Sequence, residues 1–242
     1  MGFRKHIPNT VTCLNLISGA VAVIMAFQDR LDAALGFVIL AAVFDFLDGL
    51  TARALNAYSD IGKELDSLSD TVSFGLAPSL ILYNYLNGFT AGIHPYICYF
   101  PLILAAFSAL RLAKFNLDTR QSESFLGLPV PASGLCAASL AAFAAHYEQT
   151  ANTFLANNFA IPAITLILSF LMISEIPMFS LKFKSLKWKA NAQRYTFLCI
   201  TIPAAAVLLV LKIHWTGIVF FIFAFYIIWN AAAALFRKLS DK

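Results

Sequence analysis

The sequence predicts an all-α polytopic membrane bundle of about eight spans, and three observations carry that expectation. Of the 242 residues, 60% are hydrophobic and only 12% are charged, about half the charge of an ordinary soluble domain. The apolar residues fall into repeated stretches near the roughly 20 residues needed to cross a bilayer. Lys and Arg are confined almost entirely to alternate connections between those stretches, as the positive-inside rule requires.

In chain order the spans fall at about 9–27, 32–55, 65–87, 95–115, 130–147, 159–179, 194–211 and 215–236. The first follows Arg4 and Lys5 and lacks a small-residue cleavage site, so it reads as a retained span and not a signal peptide. Gln28-Asp29-Arg30 separates the first two spans, Asn87-Gly88 the third and fourth, and the polar run 116–126 the fourth and fifth. Pro78 lies inside the third span and is expected to kink it just beyond Asp70. Pro129 and Pro131 suit the first turn of the fifth. A basic linker, FKSLKWKANAQR, joins the sixth span to the seventh, as a topology anchor or an anionic-lipid element. A very short break around Lys212 and His214 closes the last hairpin. Apart from Arg30 and Lys212, every Lys and Arg falls on one side, which puts both termini in the cytoplasm. Residues 1–242 read as a single membrane domain.

The net charge of +4 comes without any base-stacking or helix-turn-helix pattern, so it is a topology signal and not a nucleic-acid footprint. Cys13, Cys98, Cys136 and Cys199 sit singly in apolar stretches, which argues against disulfide or zinc chemistry. His6, His94, His146 and His214 are scattered near span ends, and no His-based metal site is expected.

The chemistry concentrates in DFLDGLTARALNAYSDIGKELDSLSD, residues 45–70. Asp45 and Asp48, three apart, share a helix face, and so do Asp66 and Asp70, four apart on the next helix. A carboxylate near the bilayer centre costs about 2.5–3.5 kcal/mol on the insertion scale, and four converging carboxylates repel one another as well. A cation must hold them. All-oxygen ligands suit Mg²⁺ or Mn²⁺, and two such ions shared by four carboxylates suit phosphoryl chemistry. Gly49 and Ala52 let a ligand approach the backbone or let helices pack closely. Arg53 and Lys63 can pair with a diphosphate, with interface anchoring as the alternative for Arg53.

The spacing D-x2-D-G-x2-A-R-x8-G-x3-D-x3-D, from Asp45 to Asp70, resembles the signature of the CDP-alcohol phosphotransferase family at every fixed position. That resemblance implies a helical membrane enzyme, usually a homodimer, with two divalent ions held by Asp45, Asp48, Asp66 and Asp70. It implies a CDP site lined by Gly49, Ala52 and Arg53, with Gly62 and Asn15 as further candidates, and Asp70 as general base. IPNTVTCLN (7–15), SFGLAPS (73–79), RLAKFN (111–116) and GLPVPA (127–132) resemble the phosphatidylserine synthase branch, so the similarity covers about the first 135 residues. The C-terminal half offers hydropathy but no motif.

The branch implies CDP-diacylglycerol and L-serine as substrates, and phosphatidylserine and CMP as products. The compact chain and the absence of targeting segments lead to the expectation of a bacterial inner membrane, and the Lys and Arg asymmetry to a site facing the cytoplasm. Arg111, Lys114 and Asn116 are then candidates for holding the serine carboxylate or a phosphate, beside Lys63 and Asn9; positive-inside anchoring is the alternative for Arg111 and Lys114. Rival readings are phosphatidylglycerophosphate synthesis, an ether-lipid serine reaction and an ion-coupled transporter. The transporter would spread its carboxylates over several helices, often in inverted repeats, and here they cluster in one segment.

Overall fold

The structure, a computed structural model, describes residues 6–89, 94–118, 125–147, 154, 155, 157–179 and 188–240. Arg4, Lys5, Arg120, Lys182, Lys184, Lys187, Lys242 and the first part of the basic linker, 183–187, lie outside the described residues.

The described chain is almost wholly helical. α1 spans His6–Phe27, α2 Leu31–Ala54, α3 Asp60–Asp70, α4 Ala77–Asn87, α5 Leu102–Leu117, α6 Val130–His146, α7 Ala160–Ile173, α8 Trp188–Val210 and α9 Trp215–Ser240. Five stretches are long and apolar enough to cross a membrane: His6–Phe27, Leu31–Ala54, Pro95–Leu117, Asn191–Val210 and Trp215–Phe236. α6 and α7 are shorter apolar helices. The stretch expected to form a third span is a composite, with α3 and α4 joined through a π-helix, Thr71–Leu76. Pro78 has no N–H with which to continue an α ladder, and the chain widens ahead of it: the Ala77 N–H donates to the Val72 carbonyl, five residues back.

The sixth apolar stretch leaves the helix earlier than its hydropathy suggests. α7 stops at Ile173, and Pro177–Met178 pairs antiparallel with Phe125–Leu126. Gly127 makes this junction possible. Its φ of 77° is in the region glycine favours, and a Cβ there would run into the carbonyl oxygen of Met172. The N–H groups of Gly127 and Leu128 donate to Ile176 O at 2.9 Å and Leu171 O at 2.8 Å. α6 then begins with Pro129 as its N-cap and Pro131 in its first turn.

Small side chains set the packing. α1 and α2 form a tight antiparallel hairpin through the buried Ala22, Ala26, Ala34 and Ala41. α6 is buried on nearly all sides and touches α2, α4, α9 and the π segment, as expected of a helix apolar all round. Gly19 of α1, Ser108 of α5 and Gly134 of α6 all close on Ser73-Phe74-Gly75 of the π segment. A Cβ on Gly134 would overlap the Phe74 carbonyl oxygen. The SFGLAPS segment is therefore where three helices grip the π segment, one turn past Asp70. α8, by contrast, leans chiefly on α9 and leaves Ile202, Val207, Leu209 and Val210 exposed.

Candidate active site

Two consecutive helices supply the carboxylates. Asp45 and Asp48 stand on α2, and Asp66 and Asp70 on α3. Ser59 caps α3 by accepting the Gly62 N–H at 3.0 Å, a usual N-terminal stop signal. One carboxylate oxygen from each of Asp45, Asp48 and Asp66 lies within 4.8 Å of the other two. At an effective dielectric near 20, each such pair repels by about 3 kcal/mol. Asp48 is buried and the other two half-buried, so water screens this repulsion only in part. An all-oxygen donor set at this spacing fits a divalent cation of the Mg²⁺ or Mn²⁺ class.

Asp70 is set deeper. The Asn15 side-chain amide donates to its Oδ1 at 3.1 Å, and the Ser73 hydroxyl donates to the Asn15 backbone carbonyl at 3.0 Å. α1 and the π segment together thus fix the orientation of this carboxylate.

Two cavities meet at the cluster. The first, about 220 Å³, is lined by Asn9, Thr12, Asp48, Gly49, Ala52, Tyr58, Gly62, Lys63 and Asp66, with Pro8, Ala57 and Ser59. A Cβ on Gly49 would meet only the Arg53 guanidinium, at 3.5 Å, so the space above this glycine is open and Arg53 arches over it. The second, about 320 Å³, is lined by Asp45, Lys63, Asp66, Ser67, Asp70, Arg111, Phe115 and Asn116, and closed by Pro129, Pro131, Phe223 and Tyr226. Lys63 and Asp66 belong to both walls.

A closed circuit holds that dividing wall. Lys63 Nζ donates to the Asn116 carbonyl at 3.1 Å, Asn116 Nδ2 to Ser67 Oγ at 2.9 Å, and Ser67 Oγ to the Lys63 carbonyl at 3.2 Å. Arg111 is buried, and its guanidinium carbon sits 4.7 Å above the Phe115 ring centre. Stacking of this kind keeps an arginine desolvated and oriented.

The structure gathers most of the residues expected from the sequence and separates two. Gly49, Ala52, Gly62, Asn9 and Lys63 line the first cavity, and Lys63, Arg111 and Asn116 the second. Asn15 reaches Asp70 and not the cavity above Gly49. Lys114 turns away, with its Nζ 3.5 Å from the Ile173 carbonyl, in a small recess shared with Asp118 and Glu175. Phe223 and Tyr226 of α9 were not anticipated. Tyr226 donates to the Phe179 carbonyl at 2.8 Å, and Asn230, one turn on, accepts the Phe179 N–H at 3.0 Å. Two polar residues a turn apart inside the last apolar span were the signal that could have found this wall.

The profile of the CDP-alcohol phosphatidyltransferase family matches residues 5–173, a stretch that holds all four aspartates and both cation-bearing walls. The chain belongs to that family and is an integral membrane protein. Among characterised relatives it is similar to CDP-diacylglycerol–serine O-phosphatidyltransferase of Bacillus subtilis (strain 168), with 34% identity over 71% of this chain and 89% of the relative. It is 32% identical to the protein of the same name from Mycobacterium tuberculosis, over 88% of this chain and 74% of the relative. Archaetidylserine synthase of Methanothermobacter thermautotrophicus is 33% identical over 70% of this chain and 68% of its own length.

Proposed function

We infer that the chain transfers the phosphatidyl group of CDP-diacylglycerol to the hydroxyl of L-serine and releases CMP. The observation that carries this reading is the pair of cavities sharing Lys63 and Asp66 at the carboxylate cluster. One has the glycine-floored opening a nucleotide needs, and the other is a largely apolar chamber that holds carboxylates and a buried guanidinium.

The cytidine diphosphate would lie over Gly49 and Ala52, with Arg53 and Lys63 drawn to its phosphate oxygens. Asp45, Asp48, Asp66 and Asp70 would hold two divalent ions, Mg²⁺ or Mn²⁺, which when bound neutralise the diphosphate oxygens. Serine would enter the second cavity with its carboxylate paired to Arg111, placing its hydroxyl toward Asp70. Asp70, oriented by Asn15, would take the hydroxyl proton as the serine oxygen attacks the lipid-linked phosphorus and CMP departs. Phe223 and Tyr226 would limit the acceptor to a small molecule. Lys63 and Arg111 are the cations of this lining, and with Lys114 turned aside they suit one carboxylate better than the extra phosphate of glycerol 3-phosphate.

We propose that the site faces the cytoplasm, from the Lys and Arg asymmetry, in a bacterial inner membrane, and that the working assembly is a homodimer; crosslinking in native membranes tests the latter. The similarity to an archaetidylserine synthase supports a second reading in which the lipid chains are ether-linked.

The test is CMP release by purified protein in lipid with Mn²⁺ or Mg²⁺, offering serine, glycerol 3-phosphate, inositol or no acceptor with ester- or ether-linked CDP-lipid. Serine-dependent release abolished by EDTA is expected. Release only with another alcohol overturns the acceptor assignment, and preference for the ether lipid favours the second reading.

A further inference from the structure

A second set of metal-ligating side chains comes together at the end of the bundle away from the aspartate cluster. Asp32 stands in the first turn of α2, His146 in the last turn of α6, and His214 in the turn between α8 and α9. Asp32 and Asp45 lie on one helix, and at 1.5 Å per residue their positions are about 20 Å apart. Nothing in the proposed transfer reaction uses this end of the molecule.

One ligand atom from each of the three residues lies within 4.8 Å of the other two. His214 Nε2 is 3.6 Å from Asp32 Oδ2. The rings of His146 and His214 stack with centroids 3.9 Å apart and planes 15° from parallel; because imidazole lone pairs lie in the ring plane, the exposed His146 ring must rotate out of this stack to share an ion with His214. His214 Nδ1 is 2.9 Å from the hydroxyl of the fully buried Thr216. In the tautomer whose Nδ1–H donates to that hydroxyl, Nε2 carries the lone pair and can share a cation with Asp32. Tethering one ring nitrogen so that the other is presented is how proteins orient metal-binding histidines. The backbone supports the same placement. Lys212 has a φ of 57°, which turns the chain sharply before His214, and the His214 N–H donates to the Tyr147 hydroxyl at 3.2 Å, beside His146.

The donor set selects the ion. Two imidazole nitrogens and one carboxylate suit Zn²⁺ and its late first-row neighbours, whereas Mg²⁺ and Mn²⁺ prefer all-oxygen sites. Tetrahedral zinc bonds of 2.0–2.1 Å put ligand atoms about 3.3 Å apart. Asp32 and His146 are both exposed and can turn through the remaining distance. Asp32 and His146 also border an open cavity of about 760 Å³, so a water can complete the shell.

We propose that Asp32, His146 and His214 form a zinc site that pins α2 and α6 to the α8–α9 hairpin at the end of the bundle opposite the carboxylates. α8 otherwise leans chiefly on α9, so this clasp would anchor the loosest described helix of the bundle.

The test uses the full chain in lipid nanodiscs, with excess Mg²⁺ present to fill the aspartates, titrated with Zn²⁺ or with Co²⁺ as a spectroscopic stand-in. One ion per chain is expected by elemental analysis, with the intense visible bands of low-coordinate Co²⁺, and Zn²⁺ should raise the thermal midpoint. His146→Gln and His214→Gln should abolish the bands and the thermal shift. Thr216→Val, which keeps the shape and all three ligands, should weaken Co²⁺ by about 10–100-fold, as loss of an outer-shell partner does. Asp66→Ala should leave the Co²⁺ bands unchanged. Absence of retained metal, full retention in both histidine variants, or loss of the bands in Asp66→Ala would each overturn the proposal.

Discussion

One hydrogen bond, from Asn15, sets Asp70 apart from the other aspartates of the cluster. Three aspartates crowd together within 4.8 Å, while the fourth has its Oδ1 held by the Asn15 amide. A carboxylate so oriented is suited to taking a proton. Asp70→Asn keeps the shape and removes the proposed base, so turnover should fall by about 10²–10⁴ with the protein still folded. Asn15→Leu should leave Asp70 charged but badly aimed, at a cost of about 10–100-fold in activity or metal affinity. Steady-state CMP release at saturating serine measures both, and a near wild-type Asn15→Leu would detach Asn15 from the reaction. The aspartates were legible because their spacing is a chemical demand. The role of Asn15 was not, because a lone asparagine at a span end gives no hint of a partner 55 residues away.

The π segment carries α3, with Asp66 and Asp70, into the packed part of the bundle. Gly19, Ser108 and Gly134 grip Ser73-Phe74-Gly75 so closely that a Cβ on Gly134 has nowhere to go. Gly134→Val should destabilise by about 1–3 kcal/mol, as overpacking does. It should also reduce turnover, although residue 134 is not among the cavity-lining residues; a thermal melt and an activity assay on the same preparation check this. In the sequence, SFGLAPS read as a subfamily marker and Pro78 as a kink. Why small residues are needed there became visible only with three neighbours in place, since close approach is a property of pairs of helices. GLPVPA behaved similarly: its prolines announced the start of α6, while the positive φ at Gly127 answers to a strand pair formed 50 residues later.

At the scale of the molecule, hydropathy foretold the helices well and their ends less well. Every apolar stretch drawn from the sequence holds a helix, because burying an apolar run in lipid leaves the backbone no other way to satisfy its hydrogen bonds. α7 ended early because Pro177–Met178 found a strand partner, an event hydropathy cannot register. α9 was seen as a span but not as a wall of the site, for its contribution is shape and not charge. The Lys and Arg asymmetry makes a prediction of its own. A single cysteine replacing Asp29, in a variant lacking the native cysteines, should react with an impermeant maleimide from outside intact cells, whereas one replacing Tyr58 should react only after lysis. The reverse pattern would invert the orientation. Finally, the wall formed by Lys63 and Asp66 carries a stereochemical consequence. If nucleotide and acceptor occupy the two chambers on either side of it, the incoming and departing oxygens stand on opposite faces of one phosphorus, and the transfer is a single displacement. A CDP-lipid made chiral with sulfur at that phosphorus should therefore give product of inverted handedness. Retention would mean that the phosphatidyl group rests on the protein before serine receives it.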